Sequence, residues 1–224
     1  MHAKPINHFK QMNEEMTRLR LIYQKTGNIR FTGTLDMQKI WERSCRRAGL
    51  AIAYSQGFHP QARIQQAAPL PLGMEGLEEI VDIWFQGDID LSNFIERINK
   101  YLPMGIYVNT VQNVDIHESS LQNRVNSVTY LIQNIQYISF NQLSKSINDL
   151  LNSPSIFIEK RGRQINVREL INNIKILDYS DSNQIEILMN LKHLPGKTGR
   201  PEDILQLIGI EPPMTRMIRK RLHY

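Results

Sequence analysis

The sequence supports one kind of chemistry best, the binding of anions by cations spaced along a helix. Four side chains have the spacing i, i+4, i+7 and i+8: Lys39, Arg43, Arg46 and Arg47. An α-helix turns about 100° per residue, so this spacing places all four on one face. Cations on one helix face neutralise successive phosphates of a nucleic-acid backbone. We therefore predict a phosphate-binding surface here.

A second candidate site is the loop Tyr54-Ser55-Gln56-Gly57-Phe58-His59-Pro60. Gly57 permits a close approach of the backbone to a ligand, and aromatic faces stack on nucleobases. We predict that Tyr54, Gln56 and His59 contact bases or a terminal ribose. Phe58 is predicted instead to close the end of the hydrophobic core.

Further cations are expected to extend the basic surface: Arg18, Arg20 and Arg63 lie on neighbouring predicted strands. The run Gly196-Lys197-Thr198 has part of a nucleotide-binding pattern, but Leu191 stands where that pattern requires glycine. We predict that Lys197 and Arg200 hold a single phosphate beside a short helix instead. The complete predicted nucleic-acid-binding set is Arg18, Arg20, Lys39, Arg43, Arg46, Arg47, Tyr54, Gln56, His59, Arg63, Lys197 and Arg200.

The net charge of +5 is unevenly distributed along the chain. Residues 17–74 carry nine basic and two acidic side chains, and residues 75–123 carry two basic and nine acidic ones. A field concentrated on one surface favours polyanions, RNA among them, or an acidic protein over small neutral substrates.

Several protein classes are excluded or disfavoured. Cys45 is the single cysteine, so this chain alone forms no internal disulfide and no cysteine-ligated zinc or iron–sulfur site. The six histidines show no i, i+4 pair, and we predict no metal site and no cofactor. The N-terminus lacks a signal-peptide pattern and no run of about 18 apolar residues occurs, so a cytoplasmic location away from membranes is expected.

The apolar periodicity predicts elements that hold these residues in two series. The first series has the order β-α-β-β-α-β. It consists of an alternating strand at 18–23, a helix at 34–48 capped by Thr34, extended segments near 62–68 and 80–85, a helix that begins at Asp90 and a strand at 106–111. The second series follows a polar stretch at 115–126 and has a similar order. It includes a helix that begins at the capping box of Ser139 and Gln142, strands that flank a turn at Arg161-Gly162, an extra segment and later elements. We predict an α+β fold of two tandem ferredoxin-like (split βαβ) sandwiches with antiparallel sheets, with a flexible leader at 1–16 and domains at 17–114 and 127–224.

Several motifs together carry a family resemblance. They are a basic strand at 18–25, the pair Leu35-Asp36, the run Arg46-Arg47-Ala48, the loop 54–60, the turn Leu70-Pro71-Leu72-Gly73 and the segment 196–203. This pattern resembles a bacterial domain of unknown function that is fused to radical SAM proteins or encoded beside them. The resemblance implies an accessory protein whose partner is a radical SAM protein on another chain.

Three functions follow as hypotheses. The preferred one is a non-catalytic RNA-binding module that acts with the radical SAM partner in RNA modification or processing. In the first alternative the chain is a metal-independent endoribonuclease, with His59 as general base and Lys39 or Arg43 stabilising developing charge. In the second alternative, the basic stretch 17–74 and the acidic stretch 75–123 dock the partner without nucleic acid.

Overall fold

The computed structural model describes residues 16–135, 139–179, 184–194 and 196–224. The predicted leader lies outside the described residues, except for Met16, which begins the first strand. The chain divides into two compact units. The first takes in the chain up to Leu72 together with Glu79–Gln122, and the second consists of Gly73–Glu78 and Asn123–Tyr224. The fold is mixed α+β, and its strands pair mostly antiparallel.

The first unit has the predicted element order β-α-β-β-α-β. Its elements are β1 (Met16–Lys25), α1 (Thr34–Arg47), β2 (Ile64–Gln66), β3 (Glu75–Gln86), α2 (Phe94–Asn99) and β4 (Ile106–Val114). The order of neighbouring strands is β4-β1-β3-β2. The segment Gly73–Glu78, which includes the first four residues of β3, is assigned to the second unit.

The core of the first unit forms where alternate residues of β1 meet the apolar face of α1. Leu19, Leu21 and Tyr23 are buried there, as the alternation predicts. The ring of Trp41 on α1 packs edge-on against Tyr23, with ring centroids 4.9 Å apart. Aromatic pairs in this geometry add to the stability that burial alone provides.

Two predicted helix starts were wrong. Gly33 occupies the N-cap of α1 in an extended conformation, and Thr34 is the first helical residue, so Thr34 caps nothing. The helix predicted from Asp90 is the short α2, because the Asp90 carboxylate instead accepts hydrogen bonds from the backbone and side chain of Ser92 at 2.9 and 2.7 Å. That local turn replaces the first helical turn.

The second unit contains the remaining elements. They are α3 (Leu121–Arg124, beginning at the end of the first unit), β5 (Ser127–Gln133), α4 (Phe140–Asn152), β6 (Phe157–Lys160), β7 (Arg163–Asn166), β8 (Ile171–Tyr179), β9 (Gln184–Leu194), β10 (Lys197–Thr198), α5 (Pro201–Leu207) and β11 (Arg216–His223). The capping box of Ser139 and Gln142 at the start of α4 is confirmed. Strand neighbours are β11-β5-β9, with β8 also paired to β9.

One strand of the second unit was not predicted. The pair predicted around Arg161-Gly162 exists as β6 and β7, but these two form a separate two-stranded sheet. The strand beside β9 is β8, which lies in the segment interpreted as extra. An irregularity between Ile171 and Asn173 breaks the alternation of β8, so the sequence pattern concealed the strand.

Candidate nucleic-acid interface

The two faces of α1 differ as its periodicity predicts. Met37, Trp41 and Cys45 are buried on the inner face. The four cations on the outer face are all exposed: Lys39, Arg43, Arg46 and Arg47. We call this set the α1 stripe. Burial raises the pKa of the Cys45 thiol to about 12, so that thiol is inert core rather than a nucleophile.

The ion pairs of the α1 stripe are long and exposed to solvent. Lys39 Nζ lies 3.5 Å from Asp36 Oδ1, and Arg46 Nη2 lies 3.7 Å from Glu42 Oε1. Exposed pairs of this kind contribute about 0–1 kcal/mol, so a phosphate competes with them easily. Within the described part of the chain, Arg43 and Arg47 form no ion pair. The stripe is therefore available to an anionic ligand.

Tyr54 fixes the start of the loop to the outer face of α1. Its Oη donates a hydrogen bond to Glu42 Oε1 at 2.7 Å. That hydrogen bond raises the pKa of Tyr54 above its ordinary value, since a phenolate has no proton to donate to the carboxylate. Glu42 also faces Arg46 of the stripe, so the loop and the stripe belong to one surface of the first unit.

The loop is closed by hydrogen bonds between its two ends. Ser55 N donates to the Gln61 carbonyl at 2.8 Å, and Gln61 N donates to Ser55 Oγ at 2.9 Å. The residues beyond this closure, 56–60, are all exposed, and we call them the loop tip. Gly57 within it has a φ of 130°, which L-residues rarely adopt.

Phe58 corrects a prediction. It was expected to close the core, yet its side chain is 102% exposed. Because the closure at Ser55 and Gln61 comes before it in the hairpin, Phe58 projects from the tip with no core beneath it. Gln56 and His59, the predicted base contacts, are exposed on the same tip.

Arg18 and Arg20 correct another prediction, because they are not on the surface. Each is 2% exposed. The fully buried carboxylate of Asp82 on β3 accepts from Nε and Nη2 of Arg18 at 3.0 and 2.6 Å. It also accepts from the same two atoms of Arg20 at 2.8 and 2.9 Å. Neither guanidinium is placed to hold phosphate.

Residues 115–121, part of the polar stretch 115–126 that was predicted to separate the two halves, cover these arginines. Arg18 Nη1 donates to the Glu118 carbonyl at 2.7 Å, and Arg20 Nη2 pairs with Glu118 Oε1 at 2.8 Å. Gln65 Nε2 donates to Ser120 Oγ at 2.9 Å. We call residues 115–121 the covering segment. Its Glu118 carboxylate balances the charge of Arg20, and the segment shields Arg18, Arg20 and Asp82 from solvent.

Arg63 is half-buried and contributes little to an exposed basic surface. Its guanidinium carbon lies 5.0 Å from the ring centroid of Trp84, a cation–π contact that Arg18 also makes at 4.8 Å. The cations that the first unit presents in this region are therefore mainly those of the α1 stripe.

Lys197 and Arg200 belong to the second unit, where both are exposed. Arg200 directly precedes the seven-residue helix α5. The glycine between them serves packing, since a Cβ at Gly199 would lie 2.9 Å from Leu191 Cβ and 3.1 Å from the Leu170 carbonyl oxygen. Packing therefore explains Gly199, and the phosphate contact of Lys197 and Arg200 stays a prediction.

The geometry of the nuclease residues is not that of a catalytic set. His59 lies on the exposed loop tip, and the described residues bring no acid or base side chain to its ring. No hydrogen bond among the described residues joins Lys39 or Arg43 to His59. Among the described residues, no three or more His, Cys, Asp and Glu side chains are grouped closely enough to hold a metal ion. None of the described helices combines the length and the apolar character needed to span a bilayer.

The family assignment follows from a family model that matches residues 18–201, described as an uncharacterized protein conserved in bacteria (DUF2344). The chain belongs to this family. The match includes the α1 stripe, the loop and Gly199, and it supports the bacterial domain of unknown function while leaving a radical SAM partner as a hypothesis. No curated protein matches this member of DUF2344.

The solved structures that match this DUF2344 chain include the crystal structure of the acetolactate synthase small subunit from Thermotoga maritima, at 13% sequence identity and a TM-score of 0.24. The alignment covers 93% of this chain and 98% of that one.

Proposed function

We propose that the chain is an accessory RNA-binding module that acts with a radical SAM enzyme on another chain, in RNA modification or processing. The observation that carries the proposal is the α1 stripe, exposed and joined through Glu42 and Tyr54 to the loop. No acidic residue occurs between Glu42 and Glu75, so Arg43, Arg46, Arg47 and the loop lie in a stretch of sequence that adds no negative charge beyond Glu42.

The charge pairing argues against docking through complementary acidic and basic stretches. In the first unit, Asp82 and Glu118 neutralise Arg18 and Arg20. In the second unit, Glu75 pairs with Arg216, and Glu78 pairs with Arg221 at 2.6 Å. Four of the nine acidic residues in 75–123 are thus paired with cations of this chain, whereas Arg43 and Arg47 of the α1 stripe form no ion pair among the described residues.

A nuclease needs an oriented base, and nothing supports one at His59. General bases work within hydrogen-bond reach of a proton and are positioned by neighbours. The loop tip supplies an exposed imidazole without such a neighbour among the described residues. RNA binding without cleavage is the better account, with Lys197 and Arg200 as a further predicted phosphate contact in the second unit.

We propose further that the two units are tandem ferredoxin-like domains. The support is that the strand neighbours follow one scheme in both, fourth-first-third-second. In the first unit this is β4-β1-β3-β2, and in the second it is β11-β5-β9-β8, with β6 and β7 as an insertion. The order β-α-β-β-α-β produces this scheme in split βαβ folds.

The radical SAM partner rests on the family resemblance alone, so it needs its own experiment. The chain would be co-expressed with a radical SAM protein from the same genome, with an affinity tag on the chain. Recovery of a stoichiometric complex after salt washing supports the partnership. Separate elution of the two proteins on size exclusion would remove the partner from the proposal while leaving RNA binding intact.

The binding test removes the stripe's arginines. Arg43, Arg46 and Arg47 would be changed together to Ala, and affinity for a labelled single-stranded RNA would be measured by fluorescence anisotropy. We expect the affinity to fall on the order of tenfold or more, because three phosphate contacts are lost. Unchanged affinity would remove the α1 stripe from the proposal.

A matched control removes the same charge elsewhere. Lys145, Arg163 and Lys175 are exposed cations of the second unit, and their joint change to Ala also lowers the net charge by three. We expect affinity within about twofold of the unaltered chain, since charges that do not contact the RNA attract it only weakly at physiological salt. Protection of the Cys45 thiol from aqueous thiol reagents verifies that the first unit of each variant is folded.

A further inference from the structure

Phe58 is an aromatic side chain held in solvent by a closed loop. Its 102% exposure means that it packs against nothing in the protein. Hydrogen bonds between Ser55 and Gln61 close the loop. A further hydrogen bond, from Tyr54 to Glu42, fixes the base of the loop on α1. Exposing a large apolar surface to water is unfavourable, so a ligand that covers the Phe58 ring gains binding free energy.

We propose that Phe58 stacks on an unpaired base of the RNA whose phosphates lie on the α1 stripe, so that the protein prefers single strands, loops or bulges to duplex. The inference rests on the proposed function and names its substrate class. Stacking on a phenyl ring favours any base because every base has a π-face, whereas bases within a duplex are already stacked on one another.

The surroundings of Phe58 fit a base better than an apolar protein pocket. The rest of the loop tip is Gln56, Gly57, His59 and Pro60, so no second large apolar side chain accompanies it. Protein-binding hot spots are enclosed by further contacts that exclude water. A single ring flanked by an amide and an imidazole instead offers stacking beside hydrogen bonding, which is how unpaired bases are held.

Space for the base is available beside Gly57. A Cβ built at this residue meets no heavy atom within 4 Å, and the φ of 130° keeps the backbone in a conformation that glycine adopts freely. The backbone beside the ring is therefore open to a flat ligand.

The test compares Phe58→Ala and Phe58→Trp on two ligands, a 12-nucleotide single-stranded RNA and a blunt duplex of the same sequence. We expect Phe58→Ala to bind the single strand about five- to a hundredfold more weakly and the duplex within about twofold of the unaltered chain. Phe58→Trp should retain single-strand binding. Met104, another apolar side chain that is 97% exposed, provides a matched control as Met104→Ala, with no expected change.

The outcomes separate this inference from the proposed function. Weak binding of both ligands by the stripe variant together with unchanged binding by Phe58→Ala would overturn the stacking role and leave the RNA-binding proposal standing. Equal losses on single strand and duplex would also overturn it. A Phe58→Ala chain that binds both RNAs normally but no longer retains the radical SAM protein would assign the ring to protein docking. Failure of the unaltered chain to bind either RNA would defeat both.

Discussion

Strand β1 and helix α1 carry arginines that look alike in sequence and have opposite surroundings. Arg18 and Arg20 alternate with apolar residues, as Arg43, Arg46 and Arg47 recur opposite an apolar helix face. The first pair is 2% exposed and bound to Asp82, whereas the helix arginines are exposed. The difference lies in what covers the polar face, which is the covering segment in one case and solvent in the other.

This comparison shows what a basic stretch means physically. Buried guanidinium groups persist only when carboxylates and carbonyls replace the water they lose, so their charge is consumed within the protein. Exposed ones keep their charge for ligands. Net charge along the sequence adds the two kinds together and overstates the basic surface.

The largest effect is expected from Asp82→Asn. The amide loses the charge that balances two buried guanidinium groups, so we predict a loss of about 3–5 kcal/mol in the free energy of unfolding. Urea unfolding followed by tryptophan fluorescence measures this in the first unit, because both tryptophans, Trp41 and Trp84, lie there.

The matched control for that change is Asp36→Asn. The Asp36 carboxylate pairs with Lys39 at 3.5 Å on the surface, so its loss should alter the free energy of unfolding by no more than about 0.5 kcal/mol. Equal effects of the two substitutions would break the distinction between the interior and exterior pairs.

A smaller effect is expected from Glu118→Gln in the covering segment. The side chain of Glu118 is 30% exposed, so solvent compensates for part of the lost charge on Arg20. We predict a loss of about 1–2 kcal/mol in the free energy of unfolding of the first unit. A loss as large as that of Asp82→Asn would show that the covering segment, rather than Asp82, is the main counter-charge.

The hydrogen bond from Tyr54 to Glu42 joins the loop to the α1 stripe, and it leads to a prediction about the titration of Tyr54. Glu42 accepts the Tyr54 hydrogen bond and raises the pKa of that phenol. Difference absorbance titration of the unaltered chain against Tyr54→Phe should place the Tyr54 transition above the ordinary tyrosine value of about 10. In a Glu42→Gln background the transition should shift to lower pH. An unshifted transition there would mean that Tyr54 is not anchored on α1.

Little effect on stability is expected when Arg43, Arg46 and Arg47 are all replaced by Ala. Exposed cations three and four residues apart repel one another, and Ala favours the helix, so the free energy of unfolding should stay within about 1 kcal/mol. A loss comparable to that of Asp82→Asn would mean that the stripe is structural, as Arg18 and Arg20 are.

The local sequence pattern correctly predicted which residues of a helix or strand lie together on its apolar face. The inner and outer faces of α1, the apolar residues of β1 and the capping box of Ser139 follow from spacing alone. The polar face of β1 was misjudged because its cover comes from the covering segment, nearly 100 positions later in the sequence. Alternation in the sequence shows which residues share a face of a strand, but it does not show which part of the chain packs against that face.

The loop and β8 were misjudged for local reasons. Phe58 was assigned to the core by residue type, but the hydrogen-bonded closure between Ser55 and Gln61, six residues apart, leaves the ring outside. In β8, an irregularity after Ile171 disrupts the alternation from which strands are identified. Both cases required the three-dimensional pairing of strands, which the sequence pattern does not contain.

The measurement that tests the central claim most directly is the salt dependence of RNA affinity, compared between the unaltered chain and the variant with Arg43, Arg46 and Arg47 changed to Ala. If these arginines contact phosphates, the slope of log K against log salt concentration should become shallower by up to about 2, at roughly 0.7 per lost contact with single-stranded RNA. Identical slopes for the two proteins would contradict the assignment of the α1 stripe as the surface that holds the RNA backbone.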